Sequence, residues 1–365
     1  MKFLKRIALI AALALLFQGL GALGADTALE GIIQTAMGND ALVEAAVLSQ
    51  SSLLLAIAEN LDPLPPLPPP DAPSVSTERT ETEATPRPEP EALPVYRPGR
   101  AGPLPTLALR SGDDAPSAAG IYVRNHTTYE IDVEALLADP LRFDPGAGGP
   151  AVLILHTHGT EAFEPDEDDW YDNVDNYRTT DKRLNITRVG REVAAIFEAR
   201  GLRVFHSQEF HDYPAFRGSY GRSLATAQQY LEAHPEIQII IDIHRDAILN
   251  ASGQYVRTMA DIKGVESAQV MLVVGTDHAG LSHPYWRENL KFALQLQAAM
   301  VARYPTLARP LSLREERFNA HLAPGAVLVE IGTCANTLQE ALTAARLFAE
   351  ITADVILGSQ QDTSG

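Results

Sequence analysis

The sequence predicts an α/β domain, a mostly parallel central sheet with helices on both faces, over residues 118–358. Two observations predict it. Short runs of apolar residues, among them Ala151–Leu155, Ile237–Ile243, Val270–Val274 and Val327–Ile331, are the pattern of strands covered on both faces. Between them lie segments with helical apolar periodicity, and strands alternating with amphipathic helices give a parallel sheet wrapped by helices. In such sheets, chemistry gathers at the carboxyl ends of the strands.

Taken in order, Ile121 with Val123 and Tyr129 with Ile131 read as two short strands. The strongest strand, Ala151–Leu155, ends at His156. A helix from Ile186 carries Val189, Val193, Ile196 and Phe197 on one face, and Gly201 ends it. A strand at Leu202–Phe205 follows, then a helix over Ser219–Ala233, with Ser219 as its cap. Pro235 precedes the strand Ile237–Ile243. Val270–Val274 leads to a helix over Trp286–Arg303, and Val327–Ile331 to a last helix over Leu338–Leu357, leaving a short tail at 359–365.

The residues ahead of this domain differ in kind. Lys2, Lys5 and Arg6 precede an uncharged apolar run, Ile7–Ala25, which predicts export. The 1–25 segment is either retained as a membrane anchor or cleaved near Ala22–Ala25, so the protein is extracytoplasmic in both cases. Residues 26–60 have helical periodicity, as a juxtamembrane hairpin or a partner-binding stretch. Fourteen of the 25 prolines fall between Pro63 and Pro105, so 61–117 reads as a disordered linker that cannot bury enough apolar surface to fold. Fully extended, the 43 residues from Pro63 to Pro105 reach about 130 Å at roughly 3.1 Å per residue.

Composition narrows the partners. Lys+Arg is 29 and Asp+Glu is 47, a net charge of −18 that repels phosphate backbones, so nucleic acid is not an expected partner. The single cysteine, Cys334, allows no internal disulfide and reads as a small thiol just after a strand. The acidic run from Glu164 to Asp169 reads as a solvated loop.

Three polar clusters sit at strand ends: His156-Thr-His158-Gly-Thr-Glu161, Asp242-Ile-His244-Arg245-Asp246, and Glu330-Ile-Gly332. Two histidines and a carboxylate, with one position left to water, are the ligand set of catalytic zinc, and a nearby Glu then serves as base. A single His at a strand end is usually structural. Three strand ends carrying ionisable groups together favour function for His156, His244 and Glu330, because burying such groups for stability alone has a desolvation cost. His158 shares the side of His156 only if the strand continues. Glu161 is either a ligand or a solvated acid.

These blocks resemble the signatures of the stage II sporulation protein P family. His156-Thr-His-Gly-Thr-Glu-Ala-Phe163, Asn185-Ile-Thr-Arg-Val-Gly190, Ile241-Asp-Ile-His-Arg-Asp-Ala247, and Val329-Glu-Ile-Gly332 with Asn336-Thr-Leu occur in order between about Gly120 and Leu357. More distantly, the layout is similar to zinc-dependent N-acetylmuramoyl-L-alanine amidases. The resemblance implies a zinc amidase-like fold, with Zn2+ bound by His156, His244 and an acid, and Glu330 as general base. The third ligand is Glu161, with Asp181 as the alternative. Asn185 stands where those amidases carry their metal glutamate. Arg245 joins Glu330 as a catalytic candidate, and a salt bridge between the two is the structural alternative.

The resemblance further implies peptidoglycan stem peptides as substrate, a role in forespore engulfment, and a lytic transglycosylase-like partner. Two other functions remain open on sequence: a zinc endopeptidase acting on peptide crosslinks, and a catalytically silent wall-binding scaffold.

Overall fold

The computed structural model describes residues 106–107, 120–141, 143, 150–173 and 177–362. The expectations for 1–25 and 26–60 lie outside the described residues, as does nearly all of 61–117. Among the described residues no helix is long and apolar enough to cross a membrane.

The elements are β1 (Thr106–Leu107), β2 (Val123–Asn125), α1 (Val133–Ala138), β3 (Ala151–Leu155), α2 (Ile186–Ala199), β4 (Arg203–His206), α3 (Ser219–Ala233), β5 (Ile237–Asp246), β6 (Arg257–Ile262), β7 (Val265–Ala268), β8 (Val270–Gly275), α4 (Trp286–Arg303), β9 (Leu311–Arg314), β10 (Gly325–Thr333) and α5 (Leu338–Asp362). Seven strands form the main sheet in the order β2-β9-β8-β10-β5-β3-β4. Every pairing is parallel except β10 with β8. A small sheet, β1-β6-β7, stands apart from it.

The pleat divides the core in two. Val152 and Ile154 of β3, with Ile239, Ile241 and Ile243 of β5, join the cluster shared with Val189 and Phe197 of α2, Leu290 of α4 and Phe348 of α5. Leu153, Leu155 and Ile240 point the other way, against Ala227 of α3 and Ala323. Side chains alternate between faces along a strand, so register decides which residues can meet. Leu155 lies beside Asp242, and Glu330 lies beside His244. His244 therefore shares the α3 face with Asp242 and Ile240, as Glu330 does with Ala326.

Helix ends follow capping chemistry. The Asn185 side chain accepts the Thr187 amide and starts α2. Thr337 and Glu340 exchange side chain-to-backbone bonds of 3.2 and 3.1 Å ahead of α5, a capping box.

Several expectations change. Tyr129 and Ile131 form no strand. Asp132 instead caps α1, accepting the Ala135 amide at 3.0 Å. Thr106–Leu107, inside the stretch read as disordered linker, forms a parallel pair with Arg257–Thr258, with Arg257 Nε donating to Thr106 Oγ1 at 2.9 Å. The last helix runs into the supposed tail, to Asp362. The acidic run is not simply solvated: Asp166 is buried and accepts the amides of Asp168 and Asp169, and Gln339 holds Asp169 at 2.7 Å.

Candidate metal centre

The site is built at the carboxyl ends of β3, β5 and β10. β3 stops at Leu155 and the chain turns through 157–160. That turn returns His158 and Glu161 over the end of β5. His158, Glu161 and His244 bring one ligand atom each within 4.8 Å of one another. His158 Nδ1 lies 3.5 Å from Glu161 Oε1, and His244 Nδ1 lies 3.4 Å from Oε2 of the same carboxylate. The far ring nitrogens are backed by other groups. His158 Nε2 is 3.1 Å from Ser219 Oγ, and His244 Nε2 is 3.0 Å from Asp242 Oδ1, although out of line for a hydrogen bond. Asp242 is itself fixed by the Thr157 amide at 2.9 Å and the Thr157 hydroxyl at 2.6 Å.

The charges are organised around Glu161. Burial pushes its pKa up, but Arg245, His158 and His244 outweigh that and hold it well below the ordinary range. Burial alone would lower His244, yet Asp242 and Glu161 keep it well above 6.5. Glu330 behaves oppositely. Burial and the neighbouring Asp246 push its carboxyl up to about 8, and its Oε2 is buried without a hydrogen-bond partner.

His156 lies elsewhere. It is on the α2 face of the sheet, two residues beyond Ile154, and fully buried. Its Nδ1 donates to the Ile243 carbonyl at 2.9 Å, and its Nε2 accepts from His206 Nε2 at 2.9 Å. Burial lowers the pKa of His156 to about 4 and that of His206 to about 3, so both rings stay neutral. A Cβ on Gly190 of α2 would sit 2.4 Å from His156 Nε2 and 2.7 Å from His206 Nε2. Gly190→Ala should therefore destabilise the domain by about 1–3 kcal/mol through overpacking. Gly221→Ala is the control, since its Cβ meets nothing within 4 Å. Urea unfolding of the two variants measures the difference.

Arg245 does not pair with Glu330. It grips Glu161, its backbone N donating to Oε2 at 3.2 Å and Nη1 lying 3.6 Å from Oε1. Its other donors reach the Ala162 and Tyr177 carbonyls, both at 3.1 Å. Arg245 thus braces the Glu161 carboxylate. Asp181 is held by Arg183 at 2.6 Å and has no place in the three-residue group. Asn185 is a helix cap. Cys334 is buried, and burial pushes its thiol up to about 11.

Sequence reasoning passed over two supports. Ser219 does not cap α3, whose cap is Gly218 with φ 82°. It hydrogen-bonds His158 instead. Tyr220, edge-on to the His158 ring at 5.7 Å, has its phenol pKa pushed far up, by burial first and then by Asp242, Glu330 and Glu161. It remains a neutral hydroxyl.

The donor set suits a borderline divalent cation: two imidazoles and one carboxylate, buried, with the far histidine nitrogens supported by a hydroxyl and a carboxylate.

Known proteins give the context. Stage II sporulation protein P of Bacillus subtilis (strain 168) is 27% identical over 251 residues, covering 65% of this chain and 59% of that protein. The chain thus aligns with less than two thirds of that relative's length. Among solved structures, the N-acetylmuramoyl-L-alanine amidase AmiC2 of Nostoc punctiforme is 14% identical, covering 59% of this chain and 99% of that one, with a TM-score of 0.35. The CwlD amidase from Clostridioides difficile, in complex with the GerS lipoprotein, is 12% identical over 58% of this chain and 99% of that one, with a TM-score of 0.38. Residues 115–353, which include every strand of the main sheet and all the side chains of the site, match the family model of Stage II sporulation protein P, and the chain belongs to that family.

Proposed function

We propose that the domain is a zinc-dependent peptidoglycan hydrolase that cleaves the amide between N-acetylmuramic acid and the L-alanine of the stem peptide. One observation carries the proposal: His158, Glu161 and His244 converge within 4.8 Å while Glu330 lies in register beside His244 on the adjoining strand. Those three residues would hold the metal. When bound, zinc supplies Lewis acidity, acidifying a water and polarising the amide carbonyl.

The chain's own groups do the rest. Glu330 is the proton acceptor, its carboxylate made more basic than usual by burial and by Asp246. β10 leaves its register with β5 after Glu330. Gly332, with φ 68°, makes that departure. Glu330 is therefore the last in-register residue beside His244. Asp242 makes His244 a more basic ligand, Ser219 orients His158, and Arg245 fixes Glu161 in its ionised form. The neutral Tyr220 hydroxyl is available as a donor to the substrate.

The setting belongs to the same proposal. The basic, then apolar N-terminal sequence supports export and membrane attachment, and the proline-rich stretch supports a tether to the wall. Family membership supports action on peptidoglycan during sporulation, and the motif resemblance extends the proposal to forespore engulfment beside a lytic transglycosylase-like partner. Digestion of purified sacculi tests the bond by mass spectrometry. The expected products are peptides with a free L-alanine amine and glycan bearing unsubstituted lactoyl groups. Peptides cut at their crosslinks but still attached to glycan would instead make the enzyme an endopeptidase.

A further inference from the structure

Phe216 is a large apolar side chain with 55% of its surface in water, at the edge of the proposed metal group. Its ring stacks on His158 at 4.6 Å and 30°, and the Arg178 guanidinium carbon is 4.8 Å from the ring centre. His158 and Arg178 both flank Glu161 Oε1, at 3.5 and 3.7 Å. The ring therefore packs on both groups and still keeps more than half of its surface in water.

This exposure is not slack in the segment between β4 and α3. Asp212 accepts from the Thr160 hydroxyl and from Arg178 Nη1, each at 2.6 Å. His211 Nδ1 donates to the His156 carbonyl at 2.8 Å, and Arg222 reaches back to the carbonyls of His211 at 2.6 Å and Arg217 at 3.1 Å. The protein thus holds an aromatic side chain largely in solvent beside the site where bond cleavage is proposed. Aromatic faces carry negative quadrupolar charge and attract polarised C–H and cationic groups.

We propose that Phe216 is the floor of a saccharide subsite, stacking the C–H face of the sugar ring that carries the scissile acyl group. The inference rests on the proposed amidase function. There the carbonyl that is attacked belongs to a lactoyl ether on the sugar itself, so the pyranose must sit only a few bonds from the metal group. On the peptide side, the methyl of L-alanine and the carboxylated residue after it offer no flat apolar face. The pyranose does. Phe216 thereby sets specificity for the sugar side of the bond.

The test is a ligand-observed NMR titration of peptide-free N-acetylglucosaminyl-N-acetylmuramic acid into the zinc-loaded full-length protein. Phe216→Leu keeps apolar packing on His158 but removes the flat ring, and Phe216→Trp keeps the ring. Binding should weaken about tenfold in Phe216→Leu, as expected for losing one stacking contact, and persist in Phe216→Trp, with zinc content unchanged in both. Equal binding by wild type and Phe216→Leu, or none by wild type, overturns the subsite. Loss of zinc together with sugar affinity overturns it too, by reducing Phe216 to packing for His158. If wild type binds the disaccharide through Phe216 but leaves the muramoyl amide intact in sacculi, the subsite stands and the amidase reading falls.

Discussion

Glu330→Gln should lose about 10²–10⁴-fold in turnover, the worth of positioned proton transfer, and keep its zinc. The amide has nearly the shape of the carboxylate and cannot accept the proton. Glu330 is suited to that task by its surroundings. Burial and Asp246 raise its pKa to about 8, and no hydrogen bond occupies its Oε2. Arg245 is committed to Glu161 and two backbone carbonyls, which leaves Glu330 outside that ion pair. Zinc content, melting temperature and sacculus digestion on one preparation separate the possible roles. Lost zinc would make Glu330 a ligand, and a lower melting temperature with near-normal turnover would make it structural.

His158→Ala should purify without stoichiometric zinc and without activity, because it removes one of the three proposed ligands and catalytic zinc sites carry only three protein ligands. His156→Ala should behave differently. It strands the Ile243 carbonyl and His206, which costs about 1–3 kcal/mol, and it leaves the three-residue group intact. Zinc is therefore retained and the melting temperature falls. Metal analysis of the two proteins after dialysis against a weak chelator distinguishes them. Zinc loss in His156→Ala alone would reverse the assignment.

That contrast shows what the sequence made legible. The apolar runs of β3, β5, β8 and β10 and the helical periods of α2, α3, α4 and α5 depend on local patterns, and those elements form where the patterns lie. The strand-end rule singled out His156, His244 and Glu330 together, because it says where chemistry gathers but not on which face. Pleat and register decide the face. With Leu155 beside Asp242, the β3 residues facing the His244 side are Leu153 and Leu155, and Ile154 and His156 face α2. The turn after β3 then brings His158 back across the sheet end, a step with no periodic signal. Gly190 was a clue, since a glycine inside an amphipathic helix marks close approach, here to the His156–His206 pair.

Other elements were hidden by their brevity. β9 has four residues and β2 has three, too short to show alternation. β6 and β7 join through Lys263-Gly264, both at positive φ, a hairpin turn without the Asn-Gly that would announce it. Asp242 stood within a noted motif and Ser219 at a noted helix start, but their roles behind His244 and His158 depend on contacts between α3, β3 and β5.

An anomalous difference map at the zinc absorption edge, from crystals of the zinc-loaded protein, tests the central assignment most directly. One strong peak is expected, bonded to His158, Glu161 and His244, with Glu330 beside it as a non-ligand. A peak bonded to His156 and His206, on the α2 face of the sheet, would contradict it.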